Sequence, residues 1–318
     1  MAAKTVTQLP VGPGWSFEPK YDGFRALAFA GPGGVVLQSR QLRDLTPAFP
    51  DVAAAVRHLG EVVVDGELVV WRAGRFDFAA LQDRLRSGRA RVRGLVAAEP
   101  AAFVVFDLLA RNGQDLRDRP YWKRRRKLEK LLGAQLPDGL VLTPATTDPA
   151  VARSWMLAHT GTGLEGVVAK RLDQPYRPGV RGWQKLRTRI TAEAIVGGVT
   201  GPVHAPQELI LGRPDGSGRL RIAGRTTALR PSTAGRVGAL LEEQAHAWPD
   251  RLPAHRWGAP RTAYTRVRPD LIVEVSADLA LDGLRWRHPA RFIRLRADLH
   301  PDDLLAKEFV GERTLIMK

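Results

Sequence analysis

Hydrophobic residues in the first part of the chain fall into short runs that are rich in β-branched and aromatic side chains, which is typical of strands. These strand-like runs read RALAFAG, GVVLQSR, EVVVDGELVVW, AAFVVFDLLA and EGVVAKR. Two stretches between them, 121–133 and 147–160, have helical spacing, and the first ends at Gly133. The pattern predicts an α+β domain over residues 1–188.

The pattern changes near residues 186–194 to shorter strands that are separated by Gly and Pro. A single helix is expected at about 232–247, and the pairs Asp215-Gly216 and Asp282-Gly283 indicate hairpin turns. Several short strands with one helix are typical of a small Greek-key barrel. We therefore expect a second domain over residues 189–318.

The composition sets limits on the class of protein. A chain of 318 residues suits two domains of ordinary size, and the absence of Cys excludes disulfides and thiolate zinc sites. No apolar run reaches the ~18 residues of a membrane span, and the first residues lack the apolar core of a signal peptide. We expect a soluble, cytoplasmic protein without a membrane partner.

The charge indicates a polyanionic partner. The chain has 49 Lys and Arg against 33 Asp and Glu, which gives a net charge of +16. Nucleic acid is a better explanation of this excess than a merely solvated basic surface. Only nine of the 49 basic residues are Lys. Because Lys can lose its proton and act as a nucleophile whereas Arg cannot, Lys20, Lys170 and Lys185 are candidates for chemistry.

The segment Glu-Pro-Lys-Tyr-Asp-Gly-Phe-Arg at 18–25 has two interpretations. Asp22-Gly23 could be a hairpin turn with charged neighbours. Alternatively, Lys20 is a nucleophile and Arg25 binds phosphate nearby. The second interpretation needs burial or further cations to lower the pKa of the lysine, and the same cations would hold a polyphosphate.

Carboxylates also interrupt the apolar runs. Asp65 and Glu67 lie within one run, Asp107 follows Phe106 in another, and Glu165 begins a third. Acidic side chains in such runs need partners or face a cleft. A second Asp-Gly hairpin at 65–66 and plain core packing of Phe106 are the alternatives.

Taken together, and in the order in which they occur along the chain, these motifs resemble those of the covalent nucleotidyltransferase superfamily, which includes ATP-dependent DNA ligases, RNA ligases and capping enzymes. The matching elements are K-x-D-G-x-R at 20–25, Ser39-Arg40, Asp65-Gly66-Glu67, Phe106-Asp107, the run 165–170 and Lys185-Leu186-Arg187. Details at 177–179, 183–185 and 287–289 are most similar to the small bacterial DNA ligases of the C and D types. The resemblance implies an adenylation domain of antiparallel sheets with flanking helices at 1–188 and an OB-fold β-barrel at 189–318.

The resemblance also implies roles for single residues. Lys20 is expected to attack the α-phosphate of ATP and carry AMP, while Lys170 and Lys185 neutralise charge on that phosphate. Glu165 and Glu67 are expected to bind Mg²⁺ or Mn²⁺. The residues expected to contact the nucleotide are Glu18 and Phe106 at the adenine, Arg25, Arg40 and Glu67 at the ribose and phosphates, and Lys170 and Lys185 at the α-phosphate.

One motif of the family departs from its usual form. Ligases end in R-x-D-K, whereas Leu299 stands here where the lysine is expected, after Arg296 and Asp298. The expected substrate is nicked duplex DNA, with break-repair proteins or a primase-like polymerase as partners of a monomeric repair enzyme. An RNA ligase, a capping-type enzyme and a catalytically dead nucleic-acid-binding module remain as alternatives.

Overall fold

The computed structural model describes residues 1–133, 136–158, 164–252, 262–278, 281–282 and 284–306. Its internal contacts divide the chain into two units, Met1–Thr188 and Arg189–Lys318. Of the helices in the described part of the chain, none combines the length and the apolar character that a membrane crossing requires.

In its described residues the first unit contains eleven strands, five α-helices and one short 3-10 helix (Thr46–Ala48). The strands are β1 (Ala3–Thr5), β2 (Trp15–Tyr21), β3 (Phe24–Gly31), β4 (Gly34–Ser39), β5 (Val62–Arg72), β6 (Arg75–Phe76), β7 (Ala101–Arg111), β8 (Gln114–Asp115), β9 (Leu140–Leu142), β10 (Leu164–Arg171) and β11 (Trp183–Arg187). The helices are α1 (Pro50–Arg57), α2 (Phe78–Arg86), α3 (Arg89–Ala98), α4 (Tyr121–Leu132) and α5 (Pro149–Ala158).

These strands form two sheets. The smaller one, in the order β1-β11-β10-β2, carries Lys20, and we call it the lysine sheet. The larger one runs β4-β3-β5-β7-β8, with β6 added to β5 and β9 to β7. One face of the larger sheet packs on the helices through a core that includes Leu37, Val52, Leu81, Phe103 and Leu128. Each such side chain, when fully buried, stabilises the fold by ~1.5–3 kcal/mol.

Strand alternation gives the lysine sheet two different faces. Phe17, Val167 and Ala169 pack with Ala152 of α5 in a buried apolar cluster behind the sheet. Because side chains point to opposite faces at every second residue, Glu18 and Lys20 of β2 emerge on the other face. Charged side chains therefore lie on one face of the lysine sheet, and an apolar core packs against its other face.

The strand and helix predictions for this unit are confirmed, but both hairpin alternatives are wrong. The helices expected at 121–133 and 147–160 are α4 and α5, and residues 159–160 lie outside the described part. Asp65-Gly66 lies inside the unbroken strand β5. Asp22-Gly23 joins β2 to β3, which belong to different sheets, so it is a crossing point between the sheets.

The described residues of the second unit form two short helices and a set of strands that pair mainly in one antiparallel sheet. These elements are β12 (Arg189–Thr200), β13 (Glu208–Pro214), β14 (Leu220–Arg225), α6 (Pro231–Gly238), β15 (Thr265–Arg266), β16 (Ile272–Asp278), β17 (Leu281–Asp282), β18 (Arg285–Trp286), β19 (Arg291–Leu295) and α7 (Pro301–Ala306). The sheet runs β14-β13-β12-β16-β19, with β15 beside β12 and a separate β17–β18 pair. Within the described residues β14 and β19 do not pair as strands, although an isolated bridge joins Thr226 to Ala290 next to them.

Two expectations for the second unit can be compared with this sheet. The hairpin at Asp215-Gly216 is confirmed, because it joins β13 to β14 and the Asp215 carboxylate accepts from the Ser217 amide at 2.9 Å. Gly283 of the other hairpin lies outside the described residues. The helix expected at about 232–247 ends at Gly238. The chain leaves the helix there, and Trp248 packs instead with Ile210 and Leu252.

Candidate active site

Lys20 lies at the end of β2, directly opposite Gly166 of β10. Its ammonium forms an ion pair with the buried carboxylate of Glu165 and lies 3.3 Å from the carbonyl oxygen of Tyr21. The Lys20 side chain is 20% exposed. The lysine is therefore both held by a carboxylate and reachable from solvent.

The position of Glu165 depends on the glycine that follows it. Gly166 has a φ of +146°, and a Cβ there would overlap the carbonyl oxygen of Leu186 in the neighbouring strand. The β10–β2 register shifts between Leu164 and Gly166, which marks a local bulge. Only glycine accommodates this backbone, so the Glu-Gly pair of the motif directs Glu165 towards Lys20.

Glu18 and Lys170 form a second ion pair at 2.7 Å and are almost fully buried. The Tyr121 hydroxyl donates to Glu18, and the Lys170 ammonium donates to the carbonyl oxygen of Phe106 at 3.1 Å. This ammonium lies 4.7, 5.0 and 4.5 Å from the ring centres of Phe106, Tyr121 and Trp183. Burial and the Glu18 charge raise the pKa of Tyr121 well above its usual value. Lys170 is thus enclosed by three rings and already paired.

Arg25 is oriented by a buried carboxylate. It donates to both oxygens of Asp65, at 2.9 and 2.6 Å, and Asp65 also accepts from the Tyr176 hydroxyl at 2.9 Å. The guanidinium lies 5.6 Å from the ring centre of Phe106 and 5.0 Å from that of Trp183. Burial and the Asp65 charge raise the pKa of Tyr176, so it remains a donor. This network fixes the last residue of the K-x-D-G-x-R motif.

Two groups with shifted pKa values surround Lys20. Burial raises the pKa of the Glu67 carboxyl to about 7, against the opposing effect of Lys20. Burial, followed by the charges of Arg187 and Lys20, lowers the pKa of Lys185, and Arg40 contributes in the same direction. These electrostatic effects show that the Glu67 carboxylate and several cations lie close enough to Lys20 to interact with its charge.

Phe106 and Asp107 have different environments although they are neighbours. Phe106 is half-buried and makes an edge contact with Trp183 at 5.8 Å, so its ring faces the site. Asp107 is fully buried and accepts from Arg124 of α4 at 2.8 and 2.9 Å. Asp107 therefore links β7 to α4 through Arg124, whereas the Phe106 ring lies on the side of β7 that faces Trp183.

Glu67 and Glu165 are the carboxylates that the sequence predicts to bind a metal ion. Among the described residues no group of three or more His, Asp or Glu side chains is suitably placed to hold a metal ion. Glu67 and Glu165 are coupled electrostatically beside Lys20. Mg²⁺ in phosphate-transfer sites is commonly bound by one or two carboxylates together with substrate phosphates. The two carboxylates fit such a substrate-completed site and do not fit a resident, all-protein one.

The altered C-terminal motif is explained by packing. Arg296 pairs with Asp298 at 2.8 Å and with Glu193 at 2.5 Å. Leu299 packs against a cluster formed by Ile195, Ile272 and Leu304. A lysine at position 299 would place its stem in this apolar cluster, whereas leucine suits it.

Sequence reasoning missed three aromatic residues of the site. Tyr121 and Tyr176 have no signal of their own, because each lies outside the strand motifs. Trp183 belongs to a motif, but its contact with Lys170 and Arg25 depends on the pairing of β10 with β11. All the nucleotide-contact candidates except the exposed Arg40 are at least partly buried around this face.

Two sheets, a lysine paired with a carboxylate and a surrounding set of cations and aromatic rings define a mixed α+β domain of the nucleotidyltransferase type. The model of the ATP-dependent DNA ligase domain family matches residues 2–187. The chain belongs to the ATP-dependent DNA ligases, which are enzymes that join DNA, and the resemblance drawn from its motifs is confirmed.

Similar proteins extend this result over most of the chain. DNA ligase C2 of Mycolicibacterium smegmatis is 38% identical over 94% of this chain and 90% of its own length. The multifunctional non-homologous end joining protein LigD of Pseudomonas aeruginosa is 33% identical over 98% of this chain but only 36% of its own length. A solved Lig E DNA ligase, 15% identical, has a TM-score of 0.58 over 93% of this chain and 99% of its own, which supports the fold alone.

Proposed function

We propose that this ligase seals nicks between a 5′-phosphate and a 3′-hydroxyl in duplex DNA through an AMP attached to Lys20. The observation that carries the proposal is the gathering of Glu165, Glu67 and Lys185 around the solvent-reachable ammonium of Lys20. A nucleophile that attacks a polyphosphate needs both a group that receives or releases its proton and cations that stabilise the phosphate charge.

In the first step Lys20 leaves its ion pair with Glu165 and releases a proton to solvent water, which its partly exposed ammonium can reach. The Nζ lone pair then forms a bond to the α-phosphorus of ATP. The bond from that phosphorus to the bridging oxygen of the β-phosphate breaks, and pyrophosphate leaves with the electron pair. Lys185 and Lys170 neutralise the charge that accumulates on the phosphoryl oxygens, Lys185 directly and Lys170 from its buried position.

The remaining nucleotide contacts follow from the positions around the site. The ring of Phe106 stacks on the adenine, and Glu18 accepts a hydrogen bond from its amino group. Arg25 and the exposed Arg40 bind ribose and phosphate oxygens. Glu67 accepts from a ribose hydroxyl when it is ionised.

Glu165 and Glu67 would hold Mg²⁺ or Mn²⁺ together with oxygens of the triphosphate. The ion supplies charge neutralisation at the phosphates and a template for in-line attack. For Glu165 this role requires that its pair with Lys20 opens first.

The AMP then passes from Lys20 to the 5′-phosphate at the nick, and the adjacent 3′-hydroxyl attacks that phosphate and releases AMP. We assign residues 1–188 as the adenylation domain and 189–318 as an OB-fold domain that contacts the duplex. The antiparallel strand order of the second unit supports the OB-fold assignment. The excess of positive charge supports binding through backbone phosphates.

The cellular role that we propose is DNA repair by a monomeric, cytoplasmic enzyme. A relative that is named for non-homologous end joining supports a role at breaks. Break-repair proteins and a primase-like polymerase are the partners that such a role requires.

The test is the intact mass of the protein with ATP and Mg²⁺, for wild type, Lys20→Ala and the exposed control Lys4→Ala. Wild type and Lys4→Ala should each gain one AMP, ~329 Da, and Lys20→Ala should gain nothing. A nicked duplex added to the loaded protein should remove the adduct and become sealed. An adduct on Lys20→Ala, or one that forms only with GTP, would refute the proposal.

A further inference from the structure

Helix α4 has two faces with different partners. Its buried side chains are held by the first unit: Tyr121 donates to Glu18, Arg124 pairs with Asp107, and Arg125 donates to the carbonyl oxygen of Thr143 at 2.8 Å. This inner face therefore forms part of the wall behind the Glu18–Lys170 pair.

The outer face is basic and open to solvent. Besides Glu129, its exposed members are Trp122, Lys123, Arg126, Lys127 and Lys130. Within the described part of the chain none of the four cations forms an ion pair with a carboxylate. The nearby Glu129 is engaged by Arg125 at 2.7 Å. We call these five residues the α4 basic face.

Among the residues that the structure describes, the α4 basic face shares this lack of ion pairs with other exposed cations, such as Arg89, Arg91 and Arg93 of α3, whereas part of the basic surface is neutralised. Exposed arginines elsewhere, such as Arg72, Arg117 and Arg268, are each bound to an acidic side chain. On the α4 basic face the Lys123 ammonium lies 5.2 Å from the centre of the Trp122 ring. Its charge is therefore available to an external polyanion.

We propose that the α4 basic face binds the phosphate backbone of duplex DNA beside the nick, a proposal that rests on the nick-sealing function above. Lys123 to Lys130 span about 10 Å along the helix axis, at 1.5 Å per residue. Phosphates of one strand advance about 3.4 Å per nucleotide along the duplex axis, so a helix that lies parallel to that axis would span roughly three of them. Trp122, which is 45% exposed, adds an indole N–H that can donate to a phosphate oxygen.

The charge of this face favours a polyanion, and the chain belongs to a family that joins DNA, which favours duplex DNA over an unrelated acidic partner. Contacts from the α4 basic face would position the backbone without reading sequence.

The experiment compares two triple variants that remove equal charge. Arg126→Gln, Lys127→Gln and Lys130→Gln change the α4 basic face, and Arg89→Gln, Arg91→Gln and Arg93→Gln change exposed residues of α3 as the control. Glutamine retains helix propensity. Binding to a labelled nicked duplex with a 3′-dideoxy end is measured by fluorescence anisotropy over a range of salt concentrations, and lysyl-AMP formation without DNA is measured by mass.

We expect the α4 variant to bind more weakly and the slope of log Kd against log salt to fall by about 2.7, at about 0.9 per phosphate contact. Its lysyl-AMP formation should match wild type, and the α3 variant should retain the wild-type slope. An unchanged slope, an equal loss in the α3 variant, or a loss confined to duplex RNA would overturn the proposal. Loss of lysyl-AMP formation in the α4 variant would also overturn it, because the outer face would then serve the nucleotide site. Absence of lysyl-AMP in wild type would instead refute the proposed function.

Discussion

At the residue scale, the carboxyl of Glu67 lies close to Lys20 but is buried, and burial disfavours its charged form. Its pKa is raised from the ordinary value near 4.5 to about 7, mainly by burial. The folded state therefore prefers the protonated carboxyl. Functional sites commonly hold groups of this kind, whose charge is needed for the reaction and opposes folding.

The first prediction concerns the stability of Glu67→Gln. Ionisation of Glu67 should lower the stability of the wild type progressively as pH rises from about 4.5 to about 7, and glutamine cannot ionise. The variant should equal wild type near pH 4.5 and be more stable above pH 7, by up to about 3 kcal/mol at ~1.36 kcal/mol per pKa unit. Thermal unfolding across this pH range measures the difference. A variant that is less stable at pH 8 would contradict the pKa assignment.

Lys185 gives a second prediction, on the alkaline side. Its pKa is lowered by burial and by neighbouring cations, so its positive charge is lost at a lower pH than for an ordinary lysine. Lys185→Arg should move the alkaline fall in the rate of lysyl-AMP formation to higher pH, because arginine stays protonated. Single-turnover rates between pH 7 and 10 measure this shift, with Lys4→Arg as the control. If the alkaline limb stays in place, Lys185 does not supply charge to this step.

At the element scale, one strand bulge positions the carboxylate that holds the nucleophile. The third prediction is that Gly166→Ala destabilises the protein by about 1–3 kcal/mol, because its φ of +146° and the adjacent Leu186 carbonyl leave no place for a methyl group. It should also slow lysyl-AMP formation, since Glu165 moves with the strand.

Gly94→Ala is the matched control for this substitution. Gly94 lies in α3, and a Cβ there meets no atom within 4 Å. Alanine in this exposed helix should stabilise the fold by about 0.5–1 kcal/mol and leave the adduct rate unchanged. Equal destabilisation by both substitutions would argue against a special role for the bulge.

At the scale of the whole molecule, each unit has hydrophobic clusters of its own. Clusters around Phe103 and Phe17 belong to the first unit, and a cluster around Trp286 belongs to the second. The fourth prediction is that a fragment of residues 1–188 folds cooperatively, because the clusters around Phe103 and Phe17 are built from described residues of the first unit.

This fragment should show a cooperative thermal transition and bind nicked DNA with a smaller salt slope than the full chain, since it lacks the phosphate contacts assigned to the second unit. Circular dichroism and anisotropy are the measurements. A fragment without a cooperative transition would show that the first unit depends on the second for its fold.

The sequence by itself determined the main elements of the first unit and the family to which the chain belongs. Period-two and helical spacing located the main strands of the first unit and α4, and the order of the motifs around Lys20, Glu67 and Glu165 identified the ligase family. Strands and helices depend on interactions between residues that are near in sequence, and the motifs depend on residue types that the chemistry requires. Both can therefore be predicted from the sequence alone. The expected length of α6 was wrong, because residues beyond Gly238 make contacts distant in sequence: Glu243 forms an isolated β-bridge with Val267, and His246 forms a hydrogen bond with the carbonyl oxygen of Gly197.

Only the tertiary structure decided which residues meet. The crossing of Asp22-Gly23 between two sheets, the enclosure of Lys170 by Tyr121 and Trp183, and the support of Arg25 through Tyr176 all join positions far apart in sequence. Such contacts follow from strand pairing and burial, where a group finds its partner because the alternative is an unpaired charge in an apolar interior. A single sequence specifies that partner only through the complete fold.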